Sequence, residues 1–320
     1  GAVFETSSTG PPSAYGCTRW TEICKFAKEH ARWNLRFGTP CKFVLLNSRY
    51  RGHDQDFVEH RDFLNVDRSY GREEEQLRTL YELLSVNGPH GFTPVADRVE
   101  DIRPLLSTLP QEDDRSIVLV IVTDGLPTSS THGVSTEADQ QRFADQLKAF
   151  GEVRRVRVVV RVSSNDEETV AFYRSLAGSQ NMHLPLSILD DVGAEAAHVN
   201  ANGNGWFAYT PLIHLMREAG TFSELLCALD RRRLTVEETR RLAELLLEGQ
   251  LVPIGEAADP SGFDAVGFLR DAARAAARSR RVANMRTLRQ GVAVDVLRLR
   301  AALGVGLLEW SRALFCPCRR

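Results

Sequence analysis

Five oxygen-bearing side chains stand at positions in the sequence where they could bind a metal ion together. Glu5, Ser7 and Thr9 alternate in the stretch "VFETSSTG", directly after a short apolar run. Thr93 in "GFTP" adds a hydroxyl, and Asp124 in "VTDG" adds a carboxylate. Carboxylate and hydroxyl oxygens are the ligands that hard cations such as Mg²⁺ and Mn²⁺ prefer. We therefore consider these residues a candidate metal site, the alternative being ordinary polar loops.

The elements that would position these side chains form an alternating pattern over about the first 230 residues. Short apolar runs alternate with amphipathic stretches, which predicts an α/β domain built on a doubly wound, mostly parallel sheet. Ligands bind at the carboxyl ends of the strands in such sheets, so the three segments should meet at one edge. The strand of the central segment is the clearest, because "SIVLVIVTDG" holds six consecutive apolar residues and is typical of a strand covered on both faces. The other predicted strands are "GAVF", "CKFVLLN", "RVVVRVS" and "LPLSILD".

Helical spacing of apolar residues predicts the connecting helices, which are "TRWTEICKFAKEHARW", "REEEQLRTLYELLS", "PVADRVEDIRPLLSTL", "TEADQQRFADQLKAF" and "DEETVAFYRSLA". Beyond Trp206 the pattern is helical only. Thr235 and Glu238 form a predicted capping box, and the segment from Gly262 to Phe315 predicts one or two long helices. The predicted organisation is an α/β domain over 1–220, a helical appendage over 221–255 and an arginine-rich, all-helical extension over 256–320.

The element order and the motifs resemble the von Willebrand factor A (vWA) domain, whose metal-ion-dependent adhesion site joins an Asp-x-Ser-x-Ser loop, a threonine and a distal aspartate around one divalent ion. Ser7 and Thr9 match the two hydroxyl positions, Thr93 matches the threonine, and Asp124 matches the distal aspartate. The first acid departs from the pattern, because Glu5 stands where the family has aspartate. The resemblance covers about residues 1–220 and implies a Rossmann-like vWA fold with bound Mg²⁺ or Mn²⁺.

Most members of this family bind proteins and catalyse no reaction, so the resemblance implies a protein–protein interaction module, an adaptor or scaffold. An acidic side chain of the partner would complete the coordination of the ion. The charge distribution agrees with an ion joining two acidic surfaces. The net charge is −2, but residues 270–320 hold 12 arginines and three acids, so residues 1–269 carry −11.

Two other functions remain open from the sequence. The chain could be a structural accessory subunit of a large assembly, with a vestigial metal site, whose basic C-terminal helices dock on an acidic protein or an anionic membrane surface. It could also be a metal-dependent hydrolase or phosphatase. Known nucleophile and phosphate-loop motifs are absent, and His90 is the one histidine expected near the candidate edge. An enzyme is therefore disfavoured.

Composition and aromatic placement bear on location and partners. The sequence contains neither an apolar run long enough to span a membrane nor a secretory signal pattern, so we expect an intracellular protein, cytoplasmic or organellar. Aromatic residues are scarce in the arginine-rich segment, which disfavours nucleic acid as a partner. We expect Trp206, Phe207 and Tyr209 to pack a helix onto the sheet.

Overall fold

The structure of the chain is a computed structural model. It describes residues 19–47, 58–60, 63–86, 88, 90–107, 117–153, 156–178, 182, 184–220, 224–247, 264–278, 282–284, 289–291 and 294–307. The chain divides into two compact units, Gly1–Asp191 with Glu218–Gly220, and Val192–Arg217 with Thr221–Arg320. The domain boundaries drawn from the sequence at residues 220 and 255 stay predictions.

A parallel sheet forms the centre of the first unit. Its strands are β4 (Ile117–Thr123), β5 (Val156–Val162) and β6 (Leu186–Leu189), in the order β4-β5-β6. The connecting helices are α4 (Glu137–Val153) and α5 (Glu167–Gly178). Each parallel connection requires a crossover of about a dozen residues or more, which is usually an α-helix. The prediction of a mixed α/β fold with a parallel sheet flanked by helices is confirmed.

The strand β5 is buried on both faces. Its even-numbered valines, of which Val158 and Val160 are examples, form a core with residues of α4, α5 and the preceding helix α3 (Val95–Ser107). On the opposite face of the strand, Arg161 forms an ion pair with a residue of the first helix, α1 (Arg19–Phe37). This face is therefore not purely apolar. Alternation of the two sets along the strand follows from its period of two residues.

A second, antiparallel sheet also belongs to the first unit. Its order is β1-β3-β2, with β1 (Cys41–Val44), β2 (Val58–His60) and β3 (Phe63–Val66). The helix α2 (Glu73–Val86) follows, and a core of its own joins α1, β3 and α2. We predicted one buried strand over "CKFVLLN", whereas β1 ends at Val44 and is half-buried. The pairing of β2 with β3 was not predicted, because short strands of mixed polarity leave no periodic signal.

The second unit is mainly helical. Its helices are α6 (Val192–Val199), α7 (Pro211–Glu218, whose last residue groups with the first unit), α8 (Glu224–Ala228), α9 (Val236–Leu246), α10 (Ala265–Arg278) and α11 (Val296–Ala302). The prediction of an all-helical C-terminal extension is wrong, since an antiparallel pair of strands, β7 (Val282–Asn284) and β8 (Arg289–Gly291), lies between α10 and α11. No helix among the described residues is both long and apolar enough to cross a membrane.

The C-terminal segment pairs with the aromatic residues that precede α7. Trp206, Phe207 and Tyr209 are all buried. Phe207 forms an isolated β-bridge with Val294, and the Asp295 N–H donates to the Trp206 carbonyl at 2.7 Å. The aromatic side chains are therefore buried, and the backbone partner of this segment is the stretch before α11. That they pack a helix onto the sheet stays a prediction.

The capping box of α9 is confirmed. Thr235 Oγ1 accepts the Glu238 N–H at 3.2 Å, and Glu238 Oε2 accepts the Thr235 N–H at 2.9 Å. The Glu238 carboxylate accepts hydrogen bonds from the Arg232 guanidinium and from the Thr235 N–H, and these bonds lower its pKa to about 2. The residue pair that marks the helix start in the sequence thus fixes the same start in the structure.

Candidate functional site

Two of the five predicted metal ligands lie in the described part of the structure. Glu5, Ser7 and Thr9 fall within residues 1–18, which lie outside the described residues, so their roles stay predictions. Thr93 stands two residues before the start of α3, and Asp124 directly follows β4. The geometry of these two segments determines what the edge of the sheet can bind.

The turn after β4 is fixed by its neighbours. Asp124 is exposed, while the adjacent Thr123 is buried. Thr123 Oγ1 donates to the Gly125 carbonyl at 3.1 Å, and the Tyr173 hydroxyl donates to the same carbonyl at 3.1 Å. Burial raises the pKa of Tyr173, so this phenol stays protonated and remains a donor. The turn holds the Asp124 backbone in place and leaves its carboxylate in solvent.

The segment that carries Thr93 is bonded to the same turn. The Thr93 N–H donates to Thr128 Oγ1 at 2.8 Å, and the Thr128 N–H donates to the Thr93 carbonyl at 3.0 Å. A Cβ placed on Gly125 would lie 3.2 Å from Thr93 Oγ1, so the hydroxyl approaches the backbone of the turn closely. The structure therefore brings the Thr93 hydroxyl and the Asp124 segment to one place at the carboxyl end of β4.

A further polar residue at this edge was not predicted. Asn47, three residues after β1, donates through Nδ2 to the carbonyls of His90 at 3.0 Å and Phe92 at 2.7 Å. Gly91, which lies between these two residues, has φ of 82°, and a Cβ there would come within 2.8 Å of the Asn47 amide carbon. Glycine is required at position 91 on both grounds. An asparagine near the end of a strand was the available signal, and it is common in loops of every kind.

The donors that meet here suit a hard cation in type. Thr93 offers a neutral hydroxyl oxygen and Asp124 a carboxylate, and the missing side chain of Gly125 leaves room beside the hydroxyl. Within the described residues, no group of three or more His, Cys, Asp or Glu side chains could hold a metal ion. A site at this edge would therefore need oxygen ligands from more than one segment, hydroxyls among them.

A serine and a histidine also lie close together beyond this turn. Ser129 Oγ is 3.1 Å from His132 Nδ1, so the expectation that His90 is the one histidine near the edge is wrong. Ser129 Oγ also accepts the N–H of His132 at 3.0 Å, and the His132 side chain is exposed. An oxygen that accepts local N–H groups closes a turn, and no described acid hydrogen-bonds to the imidazole as a nucleophilic triad needs. The pair is a loop motif.

Among the described residues of the first unit, the most deeply buried charges form a cluster on the α1 side of β5. Arg161, 1% exposed, pairs with Glu22 of α1 and with Glu218, the latter at 3.3 Å. The ring of Phe26 lies under the guanidinium, 4.3 Å from ring centroid to Cζ. Burial by itself would raise the pKa of Glu218, but Arg161 and His30 outweigh it and hold that pKa below its usual range. Nothing in the apolar run "VRVVVRV" predicted that its second arginine would be buried.

The second unit has an equivalent internal cluster. Arg217 bonds to Glu195 and, at 2.6 Å, to Asp230, and it also donates to the Tyr209 hydroxyl at 3.3 Å. Burial raises the pKa of Tyr209, and burial would lower that of Arg217, but its acidic partners raise it overall. Shifted pKa values often mark catalytic groups, but structural ion pairs produce them as well. Because both clusters are buried, we infer that they stabilise the fold and do not form a binding or catalytic site.

The described edge of the parallel sheet thus combines an exposed carboxylate, a hydroxyl held against a glycine, and an asparagine that fixes the intervening loop. This edge therefore offers oxygen atoms that could bind a cation from solvent. Comparison with models of protein families, with curated proteins and with solved structures finds no match for this chain.

Proposed function

We propose that the chain is a non-enzymatic protein–protein interaction module of the vWA type, which binds an acidic side chain of its partner through a Mg²⁺ or Mn²⁺ ion. Glu5, Ser7, Thr9, Thr93 and Asp124 are the proposed ligands. In this proposal the parallel sheet is part of a doubly wound, Rossmann-like sheet. The order β4-α4-β5-α5-β6, with helical residues on both faces of β5, supports that proposal.

One observation carries the functional proposal. The two described members of the predicted ligand set are far apart in the chain, yet reciprocal hydrogen bonds between Thr93 and Thr128 join their loops at the end of β4. Packing of the core does not by itself require a hydroxyl and a solvent-exposed carboxylate to lie next to each other. Such an edge is where open α/β sheets bind ligands.

The ion would supply electrostatic attraction between two carboxylate-bearing surfaces. The protein's own part is to position oxygen donors and to leave one side of the ion open to a partner. Residues 1–269 carry a net charge of −11, so an acidic partner would otherwise be repelled. Arg98, a described arginine beside this edge, already donates to the Leu46 carbonyl and to Asp101, each at 3.1 Å, and for this reason we favour binding over phosphoryl chemistry.

The test is partner capture with and without the ion. The purified chain is immobilised and exposed to cell extract in millimolar Mg²⁺ or in excess chelator, and Asp124→Ala is compared with Asp145→Ala. Asp145 is another exposed acid, on α4, where it bonds to Lys148. We expect specific partners to be retained in Mg²⁺ by the wild type and by Asp145→Ala only. Retention that ignores both the chelator and Asp124→Ala would contradict the proposal.

A further inference from the structure

A cavity of about 400 Å³ lies in the first unit, away from the candidate metal edge. It is lined by side chains of α1, of a short 3-10 turn (Arg68–Tyr70) and of α2, which are Arg32, Leu35, Arg36, Arg68, Glu73 and Leu77. Small-molecule sites fall between about 300 and 1,000 Å³. The cavity has the volume for a small ligand, and three of its six lining residues are arginines.

The helical repeat brings the arginines of α1 to the same side. Arg32 and Arg36 are four residues apart and so lie one above the other. One turn earlier, Lys28 Nζ lies 4.2 Å from the centroid of the Tyr81 ring, and Arg32 Cζ lies 5.8 Å from it. The charged groups of Lys28 and Arg32 therefore lie near the Tyr81 ring of α2, and Arg36 follows one turn further along the same side of α1.

Acidic neighbours neutralise only part of this charge. Glu29 pairs with Arg32, and Glu73 lies 3.6 Å from Arg68. The Arg36 side chain is exposed, and it forms neither an ion pair nor a hydrogen bond with any described residue. Two carboxylates thus oppose three guanidinium groups, and the charge of Arg36 is left over, so an anion entering the cavity would meet a net positive surface.

We propose that this cavity binds a phosphate monoester whose organic part is small and apolar. A phosphate carries three terminal oxygens and a charge near −2, which can engage several guanidinium groups at once. A carboxylate would offer two oxygens and one charge, and it would compete less well with Glu29 and Glu73 for the same arginines. Leu77, which is half-buried, supplies most of the apolar surface for the organic group, with Leu35 behind it at 3% exposure. This site is separate from the proposed ion-dependent function and does not depend on it.

Phenyl phosphate is the probe that tests the proposal, titrated into the full chain at constant low ionic strength and followed by calorimetry. Inorganic phosphate and phenol are titrated in parallel to separate the contributions of the anion and of the apolar group. We expect saturable binding of phenyl phosphate, binding at least tenfold weaker for inorganic phosphate, and none for phenol. Equal affinity for inorganic phosphate, or a failure of phenyl phosphate to saturate, would overturn the proposal.

Matched variants assign the binding to this cavity. Arg36→Gln removes the unopposed charge, while Arg78→Gln removes an exposed arginine of α2 that lies 3.9 Å from Glu75 and 4.0 Å from Glu82 and does not line the cavity. We expect Arg36→Gln to raise the Kd of phenyl phosphate at least tenfold and Arg78→Gln to change it less than twofold. Arg68→Gln provides a second test, should Arg36→Gln alter the helical circular dichroism. Equal effects of cavity and control variants would overturn the assignment.

Discussion

At the scale of single residues, the stability of the first unit depends on how Arg161 is neutralised. Its guanidinium lies between two buried carboxylates, those of Glu22 and Glu218, and over the ring of Phe26. Replacing a whole buried ion cluster by apolar groups can leave stability unchanged, whereas removing one partner leaves a buried charge without compensation. The individual residue therefore matters more than the number of ion pairs.

We predict that Arg161→Leu lowers the free energy of unfolding by about 3–5 kcal/mol, because Glu22 and Glu218 lose their shared cation. Arg142→Leu is the control, since Arg142 pairs with Asp97 and Glu100 on the exposed surface, where such pairs contribute about 0–1 kcal/mol. Urea unfolding followed by circular dichroism measures both. Similar losses for the two variants would show that the cluster is not specially dependent on Arg161.

The same cluster predicts a weakness to acid. Glu218 has a pKa below the 4.5 of an unpaired glutamate, so its ionised form is favoured in the folded state. The stability that ionised Glu218 contributes is complete above pH 4.5, the pKa of the unpaired group, and is lost as the pH falls through the lowered pKa of the folded protein. We predict that Glu218→Gln flattens the decline of the melting temperature below pH 4.5. An unchanged slope would mean that other carboxyl groups control acid unfolding.

At the scale of elements, the important feature is the join between the loop before α3 and the turn after β4. Sequence patterns located these segments, because long apolar runs and capping residues are local signals. The turn residues Thr128 and Asn47, which hold the loops together, gave no such signal, since their partners lie 35 and 43 or more positions away in the chain. Long-range hydrogen bonds of this kind depend on tertiary packing, which a single sequence does not specify.

The same reasoning explains the elements that were missed. The strands β2 and β3, and likewise β7 and β8, contain only three or four residues each, and none has a clear alternation of apolar and polar side chains. In the C-terminal segment, alanine and arginine favour helices in isolation. The pairing of "VAN" with "RQG" overrides that preference through backbone hydrogen bonds.

A glycine substitution tests the join directly. We predict that Gly125→Ala weakens binding of Mg²⁺ or Mn²⁺ severalfold, because its methyl group would lie 3.2 Å from Thr93 Oγ1 and force the hydroxyl to move by a few tenths of an ångström. Gly88→Ala is the control, since its Cβ would meet nothing within 4 Å. Ion titrations on both variants provide the measurement, and equal affinities would show that the Thr93 hydroxyl does not take part.

At the scale of the whole molecule, the arginine-rich segment takes part in the structure of the second unit. From the sequence alone, we would expect removal of residues 270–320 to leave the folded part intact. The structure places Leu299 and Val294 of that segment in buried positions and bonds Asp295 to the Trp206 carbonyl. Its positive charge is likewise partly used internally, since Arg298 donates to the Gly205 carbonyl at 3.1 Å.

Two leucines of α11 test this integration. We predict that Leu299→Ala, at a side chain that is 0% exposed, destabilises the second unit by about 2–5 kcal/mol, whereas Leu297→Ala, at one that is 64% exposed, has little effect. Hydrogen exchange at the amides of residues 206–209 reports the loss locally. If the amides of both variants exchange at the wild-type rate, α11 does not stabilise the second unit.

The central claim is that Thr93 and Asp124 belong to one divalent-ion site, and a Mn²⁺ titration of the purified chain, followed by electron paramagnetic resonance of the free ion, tests it most directly. Thr93→Val removes the hydroxyl but keeps the shape and the N–H bond to Thr128, and Asp124→Asn removes the charge but keeps the size. We predict one bound Mn²⁺ per chain in the wild type and at least tenfold weaker binding in each variant. Absence of Mn²⁺ binding in the wild type, or equal affinity in all three proteins, would contradict the account.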